Sequence, residues 1–390
     1  MIRALIVATS LVVPIFARAA EISTPLATPS TRFGRNIALT DFNGDGVTDL
    51  VVNADYWGDE SRTDSSAVFG HVILGNGAGI VRLLGPMHSL PTLSVLAGGG
   101  DFNGDGIDDI ASASPLSGGE ERGQLMMWFG EHDAHGDQQV DLFTEADTAN
   151  ARLGCHVHMV PSLTGGVTSD LIVDAPCHRN APCNPSGLAC IFRGGPNATF
   201  ASPTVLVGPP TSVTSSYFAG SAAIVRLHRG AQGGDCLALS ALSWYQPRST
   251  QFGRVFLYHL GASLHAQPDA ETRCPEPSTA FGNEIVSADF DGDGRDELAI
   301  SDPDGDLLST GGGAVYIFSI DDSLRATLLT TIYGEWERQR LGWALGAGDF
   351  TGDGVADLAI VSNAESREAA HPPRVEIFAG GSLGLSDTPR

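Results

Sequence analysis

The sequence predicts an all-β protein, a β-propeller built from four-stranded blades, and three observations carry that prediction. A nine-residue turn rich in carboxylates occurs four times, the copies are separated by a repeating interval, and each is followed by a short apolar run of strand length. Self-similarity at a fixed period is the signature of repeat architectures, in which each unit buries its apolar face against the next.

The turn is the most specific element. Its copies begin Asp41-Phe42-Asn43-Gly44-Asp45-Gly46, Asp101-Phe102-Asn103-Gly104-Asp105-Gly106, Asp289-Phe290-Asp291-Gly292-Asp293-Gly294 and Asp349-Phe350-Thr351-Gly352-Asp353-Gly354. Oxygen ligands at the first, third and fifth places converge on one cation if the backbone curls around it, and a glycine at the sixth place permits that curl. The seventh residue (Val47, Ile107, Arg295, Val355) would add its carbonyl, and the ninth (Asp49, Asp109, Glu297, Asp357) a further carboxylate. The helix-loop-helix calcium hand opens the same way but closes with a glutamate at the twelfth place on a helix. Here the loop closes at nine, and Leu50-Val51-Val52, Ile110-Ala111, Leu298-Ala299-Ile300 and Leu358-Ala359-Ile360-Val361 follow as strands. Four structural Ca2+ sites are therefore expected, each in a tight connection between two strands.

Asp41 and Asp101 are sixty positions apart, and so are Asp289 and Asp349. The same ruler finds two worn copies, Leu153-Gly154 leading to Asp170-Leu171-Ile172-Val173, and Phe218 leading to Asp235-Cys236-Leu237-Ala238-Leu239. Repeats thus start near Phe33, Leu93, Leu153, Phe218, Phe281 and Leu341, and six blades are expected, with seven as the alternative. Third strands read as 70–74, 124–129, 189–192, 255–258, 314–318 and 375–378. A fourth, weaker strand follows most of them, as in Ile80–Leu84 and Thr327–Thr331. Four strands per repeat suit a propeller blade, where radial repetition leaves only short edges.

These residues resemble the FG-GAP repeats of the integrin α-chain propeller and its bacterial relatives. The resemblance rests on Phe33-Gly34, Phe281-Gly282 and Leu341-Gly342, on Ala113-Ser114-Pro115, Asp174-Ala175-Pro176 and Ser301-Asp302-Pro303, and on Gly313-Ala314-Val315-Tyr316. It extends over essentially the whole mature chain. Repeat two departs from it with Leu93-Ser94, and repeats three and four lack the metal carboxylates. Integrin propellers have seven blades, which is why seven stands as the alternative.

The formal charge is −24, and all 22 basic residues are arginines. Four divalent ions would bring this to about −16, which argues against nucleic acid as a partner. Residues 1–19 read as a secretory signal, with Arg3, an apolar stretch from Ala4 to Phe16, and Ala17-Arg18-Ala19 as a cleavage site. The mature propeller then occupies 20–390, secreted, periplasmic or extracellular. It carries no membrane span and is expected to be a monomer. The six cysteines (Cys155, Cys177, Cys183, Cys190, Cys236, Cys274) all fall in the two repeats without a metal turn. In an exported chain they are expected to form disulfides there, with Cys155–Cys177 and Cys183–Cys190 as candidate pairs among fifteen pairings. A zinc site using His156, His158 and His178 is the rival, although paired C-x-x-C spacing is missing.

Connections between second and third strands are long, and they emerge at the end of each blade opposite the metal turns. Tyr56, Trp57, Trp244 and Tyr245 lie in them, while Trp336 lies in a blade-to-blade connection on the same end. Aromatics gathered with Arg62, Arg122 and Arg248 read as a ligand face. The competing reading is that Trp343 and Trp57 wedge between blades. Elbow, zincin and phosphate-loop motifs are absent. The expected function is a calcium-binding adhesion module for an extracellular protein or glycan. The alternative is a calcium-dependent carbohydrate-active lyase or hydrolase acting in the propeller channel.

Overall fold

The computed structural model describes residues 31–390 apart from 57–65, 76–78, 87–94, 148, 177–186, 209–216, 229–234, 243–252, 262–263, 279, 306–309, 364–372, 387–388 and 390. Its described residues form 24 strands and no helix. Blade one contains β1 (Thr31–Thr40), β2 (Asp49–Tyr56), β3 (Ser66–Ile73) and β4 (Ile80–Pro86). Blade two contains β5 (Val95–Gly100), β6 (Asp109–Ser114), β7 (Gln124–Trp128) and β9 (Leu142–Glu145), with β8 (Asp137–Gln139) between the last two. Blade three is β10 (Val157–Pro161), β11 (Ser169–Ala175), β12 (Leu188–Phe192) and β13 (Thr204–Val207). Blade four is β14 (Tyr217–Val225), β15 (Cys236–Leu242), β16 (Arg254–His259) and β17 (Ala270–Arg273). Blade five is β18 (Ile285–Ala288), β19 (Glu297–Asp302), β20 (Ala314–Ile320) and β21 (Ala326–Tyr333), and blade six is β22 (Leu341–Gly348), β23 (Asp357–Ser362) and β24 (Arg374–Phe378).

Each blade is a β-propeller meander in which consecutive strands pair. The third strands read from the sequence fall on β3, β7, β12, β16, β20 and β24. Two sheets depart from four strands: blade six has three among the described residues, and blade one gains β8 as a fifth. That strand comes from blade two and pairs parallel with β4, placing Arg82 opposite Asp137. It covers part of an edge that would otherwise offer unpaired backbone groups.

Burial follows strand order. Every residue of β6, β15 and β19 is buried, which is why the second strands read as unbroken apolar runs. The outer strand β21 is largely exposed. By contacts the chain divides into two compact units, with blades one to three in Leu26–Gly220 and blades four to six in Ser221–Arg390, β14 starting just before the boundary.

Within the first unit, Phe42, Val51, Val72, Leu83, Ile110, Met126 and Trp128 pack between blades one and two. Phe102, Leu125, Met127, Leu171, Val173, Phe192 and Phe200 do the same between two and three. In the second unit, Val255, Leu257, Phe281, Leu298, Tyr316 and Phe318 fill the space between blades four and five. Phe290, Ile317, Leu341, Leu358, Ile360 and Phe378 fill that between five and six.

Trp128, fully buried, donates its indole N–H to the Leu84 carbonyl at 2.9 Å, so it joins blade two to the outer strand of blade one. Trp128→Phe keeps most of the ring but orphans that carbonyl. It is expected to cost about 1–2 kcal/mol, read as a lower urea midpoint at unchanged slope; an unchanged midpoint would show the bond to be without consequence.

Candidate metal centres

The four carboxylate turns join first strand to second in blades one, two, five and six, as the spacing requires. Their second residue anchors them: Phe42 and Phe102 are fully buried and Phe290 nearly so. The fourth and sixth glycines take positive φ in every copy, for instance 84° at Gly104 and 91° at Gly106, a region closed to most side chains. The chain consequently wraps around the first carboxylate. The amide of the sixth residue donates to it at 2.8 Å in all four turns, from Gly46 to Asp41, Gly106 to Asp101, Gly294 to Asp289 and Gly354 to Asp349. The amide of the seventh residue donates to the fifth carboxylate at 2.8–3.0 Å.

Blade five tests whether these residues suit a cation. Asp289, Asp291 and Glu297 each bring a ligand atom to a common point, all within 4.8 Å of one another. Asp289 Oδ1 is buried and has no hydrogen-bond partner. An orphaned carboxylate oxygen facing two further acids is costly without positive charge, and an all-oxygen donor set suits a hard divalent ion such as Ca2+. The residues present therefore fit the ion.

The ninth residue is buried in all four turns: Asp49, Asp109 and Asp357 at 0 % exposure and Glu297 at 4 %. Asp49 accepts the amides of Phe42 and Gly75, Asp109 those of Phe102 and Gly130, and Asp357 those of Phe350 and Gly380. Glu297, one methylene longer, accepts Phe290 N–H at 2.9 Å and joins the blade-five cluster. Burial pushes the Glu297 carboxyl up to about 7, helped by the neighbouring charge of Asp291. Burial likewise pushes Asp109 up to about 7 against the opposing pull of its backbone amides, and it raises Asp49.

These shifts set a sign. Without a cation, a carboxyl whose pKa is raised by folding stabilises the fold fully below about pH 4, and that contribution is lost as the pH rises through about 7. A bound divalent ion offsets the loss by favouring the ionised form. The gain in thermal midpoint on adding calcium is accordingly expected to be small at pH 5 and large at pH 8. Equal gains at both would contradict the assignment.

The worn copies carry what the sequence reading missed. In blade three, Ser162 to Asp170 still spans nine residues, and Asp170, 1 % exposed, keeps the closing role by accepting Leu163 N–H and Gly194 N–H. The Arg193 guanidinium donates to it at 2.7 Å. In blade four, Arg226 follows β14 directly and so occupies the place of the first aspartate. Its backbone amide donates to Asp296 at 3.1 Å, and its guanidinium lies at 2.8 Å from the same carboxylate. Asp108 receives the amide of Asp41 in the same way in blade one. Arginine thus supplies positive charge where no metal turn exists.

The expected disulfides find no support among the described residues. Cys155, Cys190, Cys236 and Cys274 are free thiols there, and Cys177 and Cys183, one from each candidate pair, lie outside the described residues. Burial raises the thiols, Cys190 to about 11 and Cys236 to about 12. The zinc alternative finds no convergent donors: among the described residues the acidic group of blade five is the one metal-compatible cluster. His156 instead pairs with the buried Asp174 at 2.8 Å, while His178 lies outside the described residues.

Of the expected ligand face, Trp57, Trp244 and Tyr245 lie outside the described residues, and Tyr56 closes β2. Trp336 is half-buried in the connection between β21 and β22. The Arg374 guanidinium stacks on it at 4.2 Å. The amides of Arg338 and Arg340 tie this connection to Thr310 and Gly311 in the loop between β19 and β20. Trp343, expected as a wedge between blades, is instead 39 % exposed, with Arg340 stacked at 4.5 Å.

Comparison with known proteins agrees with this geometry. The family model described as FG-GAP repeat matches residues 33–71, 93–125, 281–318 and 341–370. These segments fall in the four blades that carry the carboxylate turn. Integrin alpha-IIb of Mus musculus is 31 % identical over 157 residues, covering 37 % of this chain and 15 % of the integrin. Phosphatidylinositol-glycan-specific phospholipase D of Homo sapiens is 24 % identical over 336 residues, covering 75 % of this chain and 38 % of the phospholipase. The chain therefore spans well under half the length of these relatives. Among solved structures, the Dos1 propeller aligns with a TM-score of 0.46 at 11 % identity, over 90 % of this chain and 70 % of that one.

Proposed function

Because the chain carries FG-GAP repeats in four of its blades, we propose that it is a secreted calcium-binding propeller that captures an extracellular protein or glycan. Residues 1–19 serve as its export signal, and Ca2+ binds in the turns of blades one, two, five and six. The observation that carries this reading is the convergence of Asp289, Asp291 and Glu297 around the unpaired Asp289 oxygen, in a turn whose sequence recurs in three other blades. Such a site fixes a hairpin and thereby the loops at the far end of its blade. Calcium acts on the scaffold, and the ligand meets the loops.

Trp336 belongs to that far end. One ring face is covered by Arg374, itself paired with Glu335 and Glu376, so the aromatic is held in place. Pre-organised aromatic and arginine side chains are the anchors that recognition surfaces favour. No helix among the described residues is long and apolar enough to cross a membrane.

Arrays of extracellular proteins and glycans probed with the purified chain in millimolar calcium provide the test. Selective capture that chelator abolishes, and that Trp336→Ala weakens at least tenfold with an unchanged melting curve, is the expected result. Turnover of an acidic polysaccharide without stable capture would favour an enzyme instead.

A further inference from the structure

Adjacent metal turns are joined by a relay of hydrogen bonds that begins and ends on candidate metal ligands. In blades five and six, Asp357 accepts Gly380 N–H at 2.9 Å. The next amide, Gly381 N–H, donates to the Phe290 carbonyl at 3.0 Å, and Phe290 N–H donates to Glu297 at 2.9 Å. Blades one and two repeat it residue for residue. Asp109 accepts Gly130 N–H, Glu131 N–H donates to the Phe42 carbonyl, and Phe42 N–H donates to Asp49. The ninth carboxylate of one turn is thus linked to the ninth carboxylate of the next through three residues and three hydrogen bonds.

A second contact runs beside the relay. The seventh residue, whose carbonyl is a candidate ligand, packs its side chain over the fourth glycine of the preceding turn. A Cβ on Gly292 would lie 3.4 Å from Val355 Cγ2, and one on Gly44 would lie 3.1 Å from Ile107 Cγ1. Ordering either turn therefore presents the other with a fixed wall and a fixed donor.

From this we infer that the turns bind calcium as two coupled pairs, blades one with two and five with six, each ion strengthening the hold on its neighbour. The inference rests on the proposal that the turns hold calcium. Coupling is reciprocal, since what one occupied site does for the second the second must do for the first. Blade three ends the first pair with an internal cation: Asp170 accepts Gly194 N–H, Gly195 N–H donates to the Phe102 carbonyl, and Arg193 sits on Asp170. Blade two accordingly always faces a neutralised neighbour, whereas blade five faces one that is neutralised only when blade six is loaded.

Calorimetric calcium titration of the full chain tests this in a background with blades one and two disabled by Asp41→Ala and Asp101→Ala. Adding Asp349→Ala and Asp353→Ala to remove the blade-six site is expected to raise the calcium Kd of the surviving blade-five site about fivefold or more, at the lower end of typical couplings. Gly381→Pro removes the relay donor without replacing a ligand: its Cβ meets nothing within 4 Å, and its ring Cδ takes the place of the N–H that reaches the Phe290 carbonyl at 3.0 Å, which breaks that link. It should leave two sites of weaker, independent affinity. An unchanged blade-five Kd in either variant overturns the coupling, while absence of calcium uptake by the unmodified chain overturns the metal assignment itself.

Discussion

Stripping calcium from the folded protein is expected to lower its thermal midpoint by roughly 10–20 °C. A site of extracellular class, with a Kd of about 10⁻⁴ to 10⁻³ M, contributes about 1.4 kcal/mol when calcium is at ten times Kd. Four such sites give roughly 6 kcal/mol, a large share of the stability of an ordinary domain. In units of this size each kcal/mol moves the midpoint by about 2–4 °C. Calorimetric scans in excess calcium and in excess chelator at pH 8 measure the difference. Magnesium, which demands a smaller octahedral shell and gives up water reluctantly, should restore little of it. A shift of less than about 2 °C would mean that the turns hold themselves together through their own amide-to-carboxylate bonds.

The second large effect needs no metal. Asp170→Ala is expected to destabilise the protein by about 3–5 kcal/mol, with the same loss in calcium and in chelator. The carboxylate is buried and accepts three donors, the Leu163 and Gly194 amides and the Arg193 guanidinium. Removing it leaves two amides and a cation without their acceptor. Asp170→Asn should be nearly as costly, because an amide offers one acceptor oxygen and turns its own N–H groups toward the remaining donors. Urea denaturation of both variants, with and without chelator, reads the effect. A loss that appears only in calcium would show that blade three binds metal after all.

These two predictions mark where the sequence was legible. The metal turns, the blade boundaries and the third strands follow from local spacing: a nine-residue loop closes on itself, and a buried strand writes itself as an apolar run. Asp289, Asp291 and Glu297 could be assembled from spacing alone because their convergence is a property of one hairpin. The arginines of blades three and four could not. Arg226 meets Asp296 across 70 positions and two blades, and no local pattern reports such a neighbour. One signal was present in retrospect: laying the nine-residue ruler on the worn copy of blade three puts Asp170 at the ninth place. The cysteines pointed elsewhere because their clustering in the two blades without a carboxylate turn matched an oxidised framework, yet the four described are free thiols, Cys236 buried and the other three partly so. The strand β8 was hidden for another reason. Three polar residues without alternation carry no strand signal, and their pairing is dictated by the exposed edge of β4.

The relay between turns was also invisible in one dimension, since it joins backbone amides after third strands, Glu131 and Gly381, to carbonyls in the preceding blade. The calcium coupling we infer from it would make the turns dependent elements and would give a physical reason for their occurrence in adjacent pairs.

The most direct test counts ions. Equilibrium dialysis of the purified chain against millimolar calcium, followed by elemental analysis, should find four calcium ions per chain, and none in the quadruple variant carrying Asp41→Ala, Asp101→Ala, Asp289→Ala and Asp349→Ala. Calcium content in the unmodified chain no higher than in that variant would contradict the account.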